Sequence, residues 1–439
     1  MSDGFLWRAV VPVGGLVALA ACGATATDTP PPPIGPPELS ATVTVSDGRF
    51  PSLAAADDGV VHLSVTTQLD SARYALRLMS WRDGAWSTLR DIASDRPFFV
   101  NWADFPAIVA LENGDLAAHW LEREGTGTYA YGIRLVRSRD GGATWDPPVT
   151  PHGDGLAAEH GFVTLWPAGG DRVGAVWLDG RKTAMPDSAR EMTVRTTTLG
   201  RDEPVAVEQL LDARACDCCQ TASAATRTGR VIVYRDRSPD EIRDIAIVRW
   251  QDGAWSAPQR VHADNWRFEG CPVNGPSVAA LGDTVAVAWF TGAQDTARVR
   301  VAVSVDGGAS FGPPVRVDDG DPIGRVSVVL DDDAQPLVLW MERQSSDSAS
   351  LRVRRVAPGG ATSVSVSVAT VSAARASGVP RMVRQGDQLL FAWTEPGAGV
   401  RTATAALTGS SPVAGAIGAS HRVGQAREVE VAHLERGHH

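Results

Sequence analysis

Val285-Ala286-Val287-Ala288-Trp289 is a short apolar run that closes on an aromatic residue. The same pattern recurs at Leu116-Ala117-Ala118-His119-Trp120, Gly174-Ala175-Val176-Trp177, Val231-Ile232-Val233-Tyr234, Leu337-Val338-Leu339-Trp340 and Leu390-Phe391-Ala392-Trp393. The closing aromatics stand at 120, 177, 234, 289, 340 and 393, in steps of 51 to 57 residues. A step of 55 back from Trp120 falls on Val65, the end of Val60-Val61-His62-Leu63-Ser64-Val65, an equivalent run without its aromatic. Seven copies of a unit this long predict a propeller or a solenoid. Each copy carries short strands and Gly-rich turns, which suits a four-stranded blade. No long stretch keeps a 3.6-residue period, so little helix is expected. The expected fold is therefore all-β, a seven-bladed β-propeller, with a six-bladed ring as the alternative.

Ring closure is also legible. The seventh copy has strand patterns at Pro380–Val383, Gln388–Trp393 and Val400–Leu407 but no fourth. Leu39–Val45, at the other end, has strand composition and is expected to fill that place, removing two exposed sheet edges.

Outside the repeats the ends read differently. Ala9–Ala21 is apolar but too short to span a bilayer as a permanent helix. It runs into Leu19-Ala20-Ala21-Cys22-Gly23, with small residues at a secretory cleavage point. This order resembles a bacterial lipobox, which implies that Cys22 is lipidated; Gly rather than Asp at position 23 implies the outer membrane. Gly23–Pro37 is rich in Thr and Pro and suits a stiff tether. The expected organisation is a lipoprotein signal peptide over 1–22, a tether over 23–38, the propeller over 39–409 and a disordered tail over 410–439. The expected location is the bacterial cell envelope, with membrane contact through the lipid anchor only.

The chain has 439 residues, of which 44% are hydrophobic and 21% charged, which excludes wholesale disorder. Its net charge of −10 argues against nucleic acid as a partner, because no basic excess exists to neutralise phosphates. Lys182 is the single lysine, so Schiff-base chemistry is not expected.

Ser138-Arg139-Asp140-Gly141-Gly142-Ala143-Thr144-Trp145 and Ser304-Val305-Asp306-Gly307-Gly308-Ala309-Ser310-Phe311 form a second repeat. Shorter versions occur at Arg82–Trp86 and Gln251–Trp255. The Asp can bond the backbone of a tight turn whose glycines take positive φ, while the aromatic packs into the blade. These segments resemble the Asp-box of the sialidase superfamily of propellers. That resemblance implies that the Asp-box turns lie on one face, and that loops leading into first strands and out of second strands share the other.

Those loops gather charge: Glu122-Arg123-Glu124, Asp179-Gly180-Arg181, Glu342-Arg343, Asp104, Glu159-His160, Arg325 and Arg381. Arg235-Asp236-Arg237-Ser238-Pro239-Asp240-Glu241-Ile242-Arg243-Asp244 is the densest. Arg forks bind carboxylates bidentately, so a mouth of this kind suits a glycan or another anionic small ligand. Arg49, Arg181, Arg235, Arg237, Arg243 and Arg381 are the candidate ligand-binding residues. Asp70, Asp104, Asp236 and Glu241 are candidate acids or bases for glycoside hydrolysis, which needs two carboxyl groups at suitable separation. The resemblance also implies that Arg49-Phe50-Pro51 stands where sialidases carry a carboxylate-binding arginine motif, and that Asp70 stands near their acid/base position. Their late nucleophilic Tyr has no counterpart, because the last Tyr here is Tyr234, at a packing position of the repeat. Hydrolysis and non-catalytic scaffolding therefore stay open as alternatives.

Cys216, Cys218, Cys219 and Cys271 span one repeat and should meet on the mouth face, as two disulfides or as a thiolate metal site. No other cofactor is expected.

Overall fold

The computed structural model of the chain describes residues 47–185 and 190–407, together with Met1, residues 30–32 and the backbone of Glu38–Leu39. The expected segments over 1–22 and 410–439, and Cys22 with them, lie outside the described residues, as does most of the expected tether.

Seven antiparallel sheets form a ring, and the six-bladed alternative is excluded. The first strands are Gly48–Ala55, Ala107–Ala110, His160–Pro167, Ala222–Ala225, Ser277–Leu281, Pro322–Leu330 and Arg381–Gln385. Each packs on the next in chain order, and the last returns to the first, so together they line a central channel. Blade 7 is completed from the other end of the chain: Glu38 pairs with Thr404 and Leu39 with Ala403. The closing strand thus begins one residue earlier than the composition of Leu39–Val45 suggested, and Ser40–Val45 lie outside the described residues.

The repeated apolar runs are the second strands, and their closing aromatics have one job. Trp120 packs in the core between blades 1 and 2, Trp177 between 2 and 3, and Tyr234 between 3 and 4. Trp289, Trp340 and Trp393 do the same between blades 4 and 5, 5 and 6, and 6 and 7. Val65 takes this place at the seam between blades 7 and 1. A second strand is buried on both faces by its neighbouring blades, which is why it reads as a continuous apolar run rather than an alternating one. Truncating one of these Trp residues to Ala is worth about 3–5 kcal/mol.

The indoles also explain several charges. Trp120 Nε1 donates to Glu122 at 2.9 Å, Trp177 Nε1 to Asp179 at 2.8 Å and Trp340 Nε1 to Glu342 at 2.6 Å. These acids were expected at the mouth as ligand-facing charges. They are instead the buried acceptors of the packing tryptophans, two residues on along the same strand.

At the opposite face, Asp140 accepts from Ala143 N, Thr144 N and Thr144 Oγ1, while Ser138 Oγ accepts from Gly142 N. Asp306 accepts from Ser310 N and Oγ, and Ser304 Oγ from Gly308 N. Gly142 has φ +82°, and a Cβ there would overlap Leu78 of the preceding blade; Gly141 has φ +65° and open space. No helix among the described residues is long and apolar enough to cross a membrane.

Candidate functional site

The channel is closed at its mouth by the loop that leads into blade 2. Phe105 packs with Phe50 of blade 1 and Val379 from the loop before blade 7, flanked by Val100 and Trp102. Trp102 lies under the Arg325 guanidinium of blade 6, 5.0 Å from ring centroid to Cζ. Gln220, ahead of blade 4, donates to Ala103 O. A single loop therefore reaches blades 1, 4, 6 and 7, which fixes it across the axis. Beneath it lies a cavity of about 210 Å³ lined by Asp104, Phe105, Gln220, Ser327 and Arg381.

Three groups of polar residues surround this plug. The first joins blades 2 and 3. The Tyr131 hydroxyl lies 2.9 Å from both Asp104 Oδ2 and Glu159 Oε1. One phenol carries one proton, so it donates to one carboxylate and can bond the other only by accepting. Burial pushes Asp104 up to about 7, against the lowering effect of the Phe162 N–H at 2.7 Å. Burial also pushes Glu159 up to about 7, helped by the Asp104 and Asp217 charges. Both carboxyls are thus poised to titrate near neutral pH on either side of the Tyr131 hydroxyl. Access is poor, because Asp104 and Tyr131 are each 1% exposed.

Next to it, His160 donates Nδ1–H to Ala158 O at 3.2 Å and Nε2–H to Asp154 at 2.9 Å. Both nitrogens face acceptors, an arrangement that favours the doubly protonated ring. Burial alone would lower its pKa, but the Asp154 hydrogen bond and the Asp179 charge outweigh it and raise it. Arg181 is enclosed in this group, at 3.0 Å from Asp154, 2.6 Å from Asp179 and 2.5 Å from Glu208. Its charge is compensated within the fold, so the expected ligand contact is not on offer.

The second group lies on blades 4 and 5. Arg235 is 1% exposed. It donates to Asn274 O at 2.8 Å, Phe290 O at 2.7 Å and Arg243 O at 2.5 Å, and stacks over Trp266. This corrects its expected ligand role: the guanidinium satisfies backbone carbonyls that would otherwise be orphaned. Glu241, in left-handed backbone at φ +61°, is clasped by Arg237 at 3.0 Å, Arg243 at 2.7 Å and Arg214 at 3.3 Å. Arg237 leads in holding its carboxyl below the usual range. Asp236 is half-buried and pushed up to about 6 by that burial, with Asp212 and Asp244 adding to the effect. An open pocket of about 340 Å³ is lined by Asp217, Arg237, Glu241, Arg243, Glu269 and Cys271.

The other three cysteines lie behind Cys271 at this pocket's edge. Cys216 Sγ lies 3.5 Å from Cys219 Sγ and 3.9 Å from Cys218 Sγ. Cys271 comes within 4.8 Å of Cys218 and Asp217. The meeting matches the register argument, but none of the four is bonded as a disulfide, which would need about 2.05 Å. Hydrogen bonds from Cys218 and Cys219 hold the Cys216 thiol well below its ordinary range, and burial pushes Cys219 up.

The third group is the axis itself. Arg381 lies over the Phe105 ring at 4.5 Å, and its Nε is buried without a hydrogen-bond partner. Burial lowers it to about 10, and no ion pair offsets that among the described residues. Arg325, which donates to Gly378 O at 2.8 Å, is likewise lowered to about 10 by burial. Arg49 bonds Gln68 at 2.9 Å.

Asp70 stands apart. It sits on an exposed turn, accepting from Ala72 N, Arg73 N and Arg73 Nε at 2.9, 2.9 and 2.6 Å. Led by the Ala72 N–H, these bonds hold it at about 2, and it lies away from the channel mouth and its cavity. Reading the sequence missed Tyr131, whose one signal was rarity: the chain has four tyrosines. A groove of about 540 Å³ lies at the Asp-box end between blades 3 and 4, lined by Trp166, Arg230, Trp250 and Trp255.

No family profile matches the chain, and no curated protein does. Solved structures do. A Hadza microbial sialidase is 16% identical over 67% of this chain and 63% of its own, with TM-score 0.45. A protein of unknown function from Dyadobacter fermentans is 15% identical over 86% of this chain and 98% of its own, with TM-score 0.48. An α-L-arabinanase from Penicillium chrysogenum is 13% identical over 86% and 99%, with TM-score 0.44.

Proposed function

We propose that this protein is a cell-envelope propeller that recognises an anionic glycan at its plugged mouth. The observation that carries the reading is Arg381. It is the candidate arginine left facing a cavity with a buried, unpartnered Nε and no ion pair among the described residues. An arginine lowered by burial regains its ordinary charge stability when a carboxylate sits against it. A cavity of about 210 Å³ admits the acidic end of a sugar rather than a whole oligosaccharide. Sialidase-like glycan binding is favoured over hydrolysis, because Asp104 and Glu159, the carboxyls poised near neutral pH, are both engaged by the Tyr131 hydroxyl, Asp104 in the wall of the cavity itself. Attachment through Cys22 rests on the Leu-Ala-Ala-Cys order and the Pro-rich tether.

The test is calorimetric titration with a panel of sialosides and uronides, on the wild type and on Arg381→Ala, with fluorogenic sialoside turnover measured in parallel. Binding of an acidic sugar that weakens about tenfold or more in Arg381→Ala, without turnover, is expected. Equal affinity in the two proteins, or no binding across the panel, overturns the proposal. Turnover abolished by Tyr131→Phe overturns the preference for binding over hydrolysis. Cys22→Ser should release the protein from membranes, and unchanged membrane association would overturn the anchor.

A further inference from the structure

The thiols have no part in that reading. Cys216, Cys218 and Cys219 belong to one turn between Gln209–Ala215 and Ala222–Ala225, and Cys271 to the loop ahead of Ser277–Leu281. The turn is pinned at its start, where Cys216 N donates to Arg235 O at 3.0 Å and Ala215 bridges Asp236. Arg235 is itself locked onto three carbonyls, so this base is rigid. Cys216 and Cys219 are buried and Cys218 half-buried, while Cys271 is exposed on the rim of the pocket.

We propose that Cys216, Cys218 and Cys219 bind one soft closed-shell cation, zinc(II) or copper(I), with Cys271 placed to supply a fourth thiolate to zinc. The spacing is the first argument. Metal–sulfur bonds of about 2.3 Å put the sulfurs of a tetrahedral thiolate site about 3.8 Å apart. The observed 3.5 and 3.9 Å bracket that value, and all three sulfurs lie within 4.8 Å of one another. The fourth sulfur is the second argument. Cys271 and Asp217 share a second cluster with Cys218, on the solvent side of the first. The metal position therefore opens toward the 340 Å³ pocket rather than into the core, which provides a path for the ion.

Charge is the third argument. Three or four thiolates around such an ion leave a surplus of negative charge. Arg235 accepts the Cys216 N–H at its carbonyl, and Arg243 lines the pocket beside Cys271, which keeps two arginines next to the turn. Arg243 is 3% exposed at its side chain, bonds Glu241 at 2.7 Å and lies 3.8 Å from Asp217, so its charge stands at the edge of the pocket. Soft sulfur ligands select copper(I), zinc and iron–sulfur chemistry over hard cations such as magnesium and calcium.

The two ions make different demands. Copper(I) is content with the three thiolates already gathered, whereas zinc in protein sites of this kind is four-coordinate. Zinc would draw Cys271 inward and close the rim of the pocket. Each ligand that is still a thiol before binding releases its proton to the buffer, and no electron moves when copper is supplied as copper(I).

The experiment uses the full chain, fully reduced under anaerobic conditions. Zinc(II) is titrated against a chromophoric chelator, copper(I) against bicinchoninate, and cobalt(II) serves as an optical probe of the zinc geometry. One equivalent of ion per chain is expected, with thiolate-to-cobalt charge-transfer absorption in the near ultraviolet. The triple variant Cys216→Ser/Cys218→Ser/Cys219→Ser should lose binding. Cys271→Ser should weaken zinc by about tenfold or more and leave copper(I) within about threefold. The cobalt spectrum of the wild type keeps the proposal testable if the triple variant fails to fold. Failure of the reduced protein to bind either ion stoichiometrically overturns the proposal. So does a denatured, unreduced sample in which Cys216, Cys218, Cys219 and Cys271 all lack free thiols, which would mean two disulfides among them. Unchanged zinc affinity in Cys271→Ser overturns the fourth ligand.

Discussion

The two ends of the ring treat the same residue types in opposite ways. At the Asp-box end, Asp140 and Asp306 sit in equivalent turns and accept from side-chain and backbone donors within their own loop. Asp306 is held at about 2, with the Ser304 and Ser310 hydroxyls leading. At the mouth, Asp104 and Glu159 are pushed up to about 7 and Arg381 down to about 10, all led by burial. A carboxylate surrounded by local donors is a structural part that titrates far below neutral pH. One buried with few donors is a source of strain, and groups of that kind are where binding or proton chemistry becomes available. The repeated turns stabilise the blades; the unrepeated loops give the protein its individuality.

That contrast can be broken most forcefully at an arginine that behaves like the Asp-box end although it lies at the mouth. Arg235→Leu should cost about 3–5 kcal/mol in urea unfolding, since it orphans three carbonyls and removes the stack on Trp266. A loss below about 1 kcal/mol would return Arg235 to the ligand-binding set.

Within one Asp-box turn the two glycines should part company. Gly142→Ala places a Cβ against Leu78 and strains a positive φ, and should cost about 2–3 kcal/mol. Gly141→Ala meets open space and should cost about 1 kcal/mol. Equal costs would mean that the turn does not pack on the preceding blade as described.

The mouth carboxyls predict a pH dependence with a definite sign. Asp104 and Glu159 have folded pKa values of about 7, above those of unfolded Asp and Glu. Their contribution is fully present below about pH 4 and is lost as pH rises through about 7. His160, also raised, acts in the same direction at higher pH. Unfolding free energies at pH 5 and pH 8 should differ by about 2–5 kcal/mol, the lower figure if the two carboxyls titrate as one. The double variant Asp104→Asn/Glu159→Gln should remove most of that slope while keeping bonding atoms for Tyr131. A slope unchanged in that variant would place the titration elsewhere.

The smallest effect belongs to Arg381. Without ligand, Arg381→Ala should change stability by less than about 1 kcal/mol, because loss of packing on Phe105 offsets relief of an unpaired charge. Against the large cost at Arg235, this separates an arginine that builds the mouth from one that waits for an anion.

Much of the molecule is legible in the chain because repetition amplifies weak signals. One Trp after an apolar run says little; six aromatics in steps of 51 to 57 residues specify the blades. The same register brings Cys216 and Cys271 to neighbouring blades. What it misses is the origin of individual charges. Glu122, Asp179 and Glu342 look like loop charges, yet each ends a strand and accepts from the indole two residues before it. Tyr131, Asp104 and Glu159 lie in three separate elements and show no common pattern in sequence.

Periodicity, strand composition and turn chemistry are local properties, and by themselves they determined a seven-bladed ring closed by the chain's far end, with its thiols on one face. Which arginine binds the protein's own carbonyls and which is left facing a cavity was decided only by the tertiary structure. So was which carboxyl keeps its proton. Desolvation and hydrogen-bond partnership depend on groups 27 to 55 residues away, as from Tyr131 to Asp104 or Arg235 to Phe290, and no local pattern encodes them.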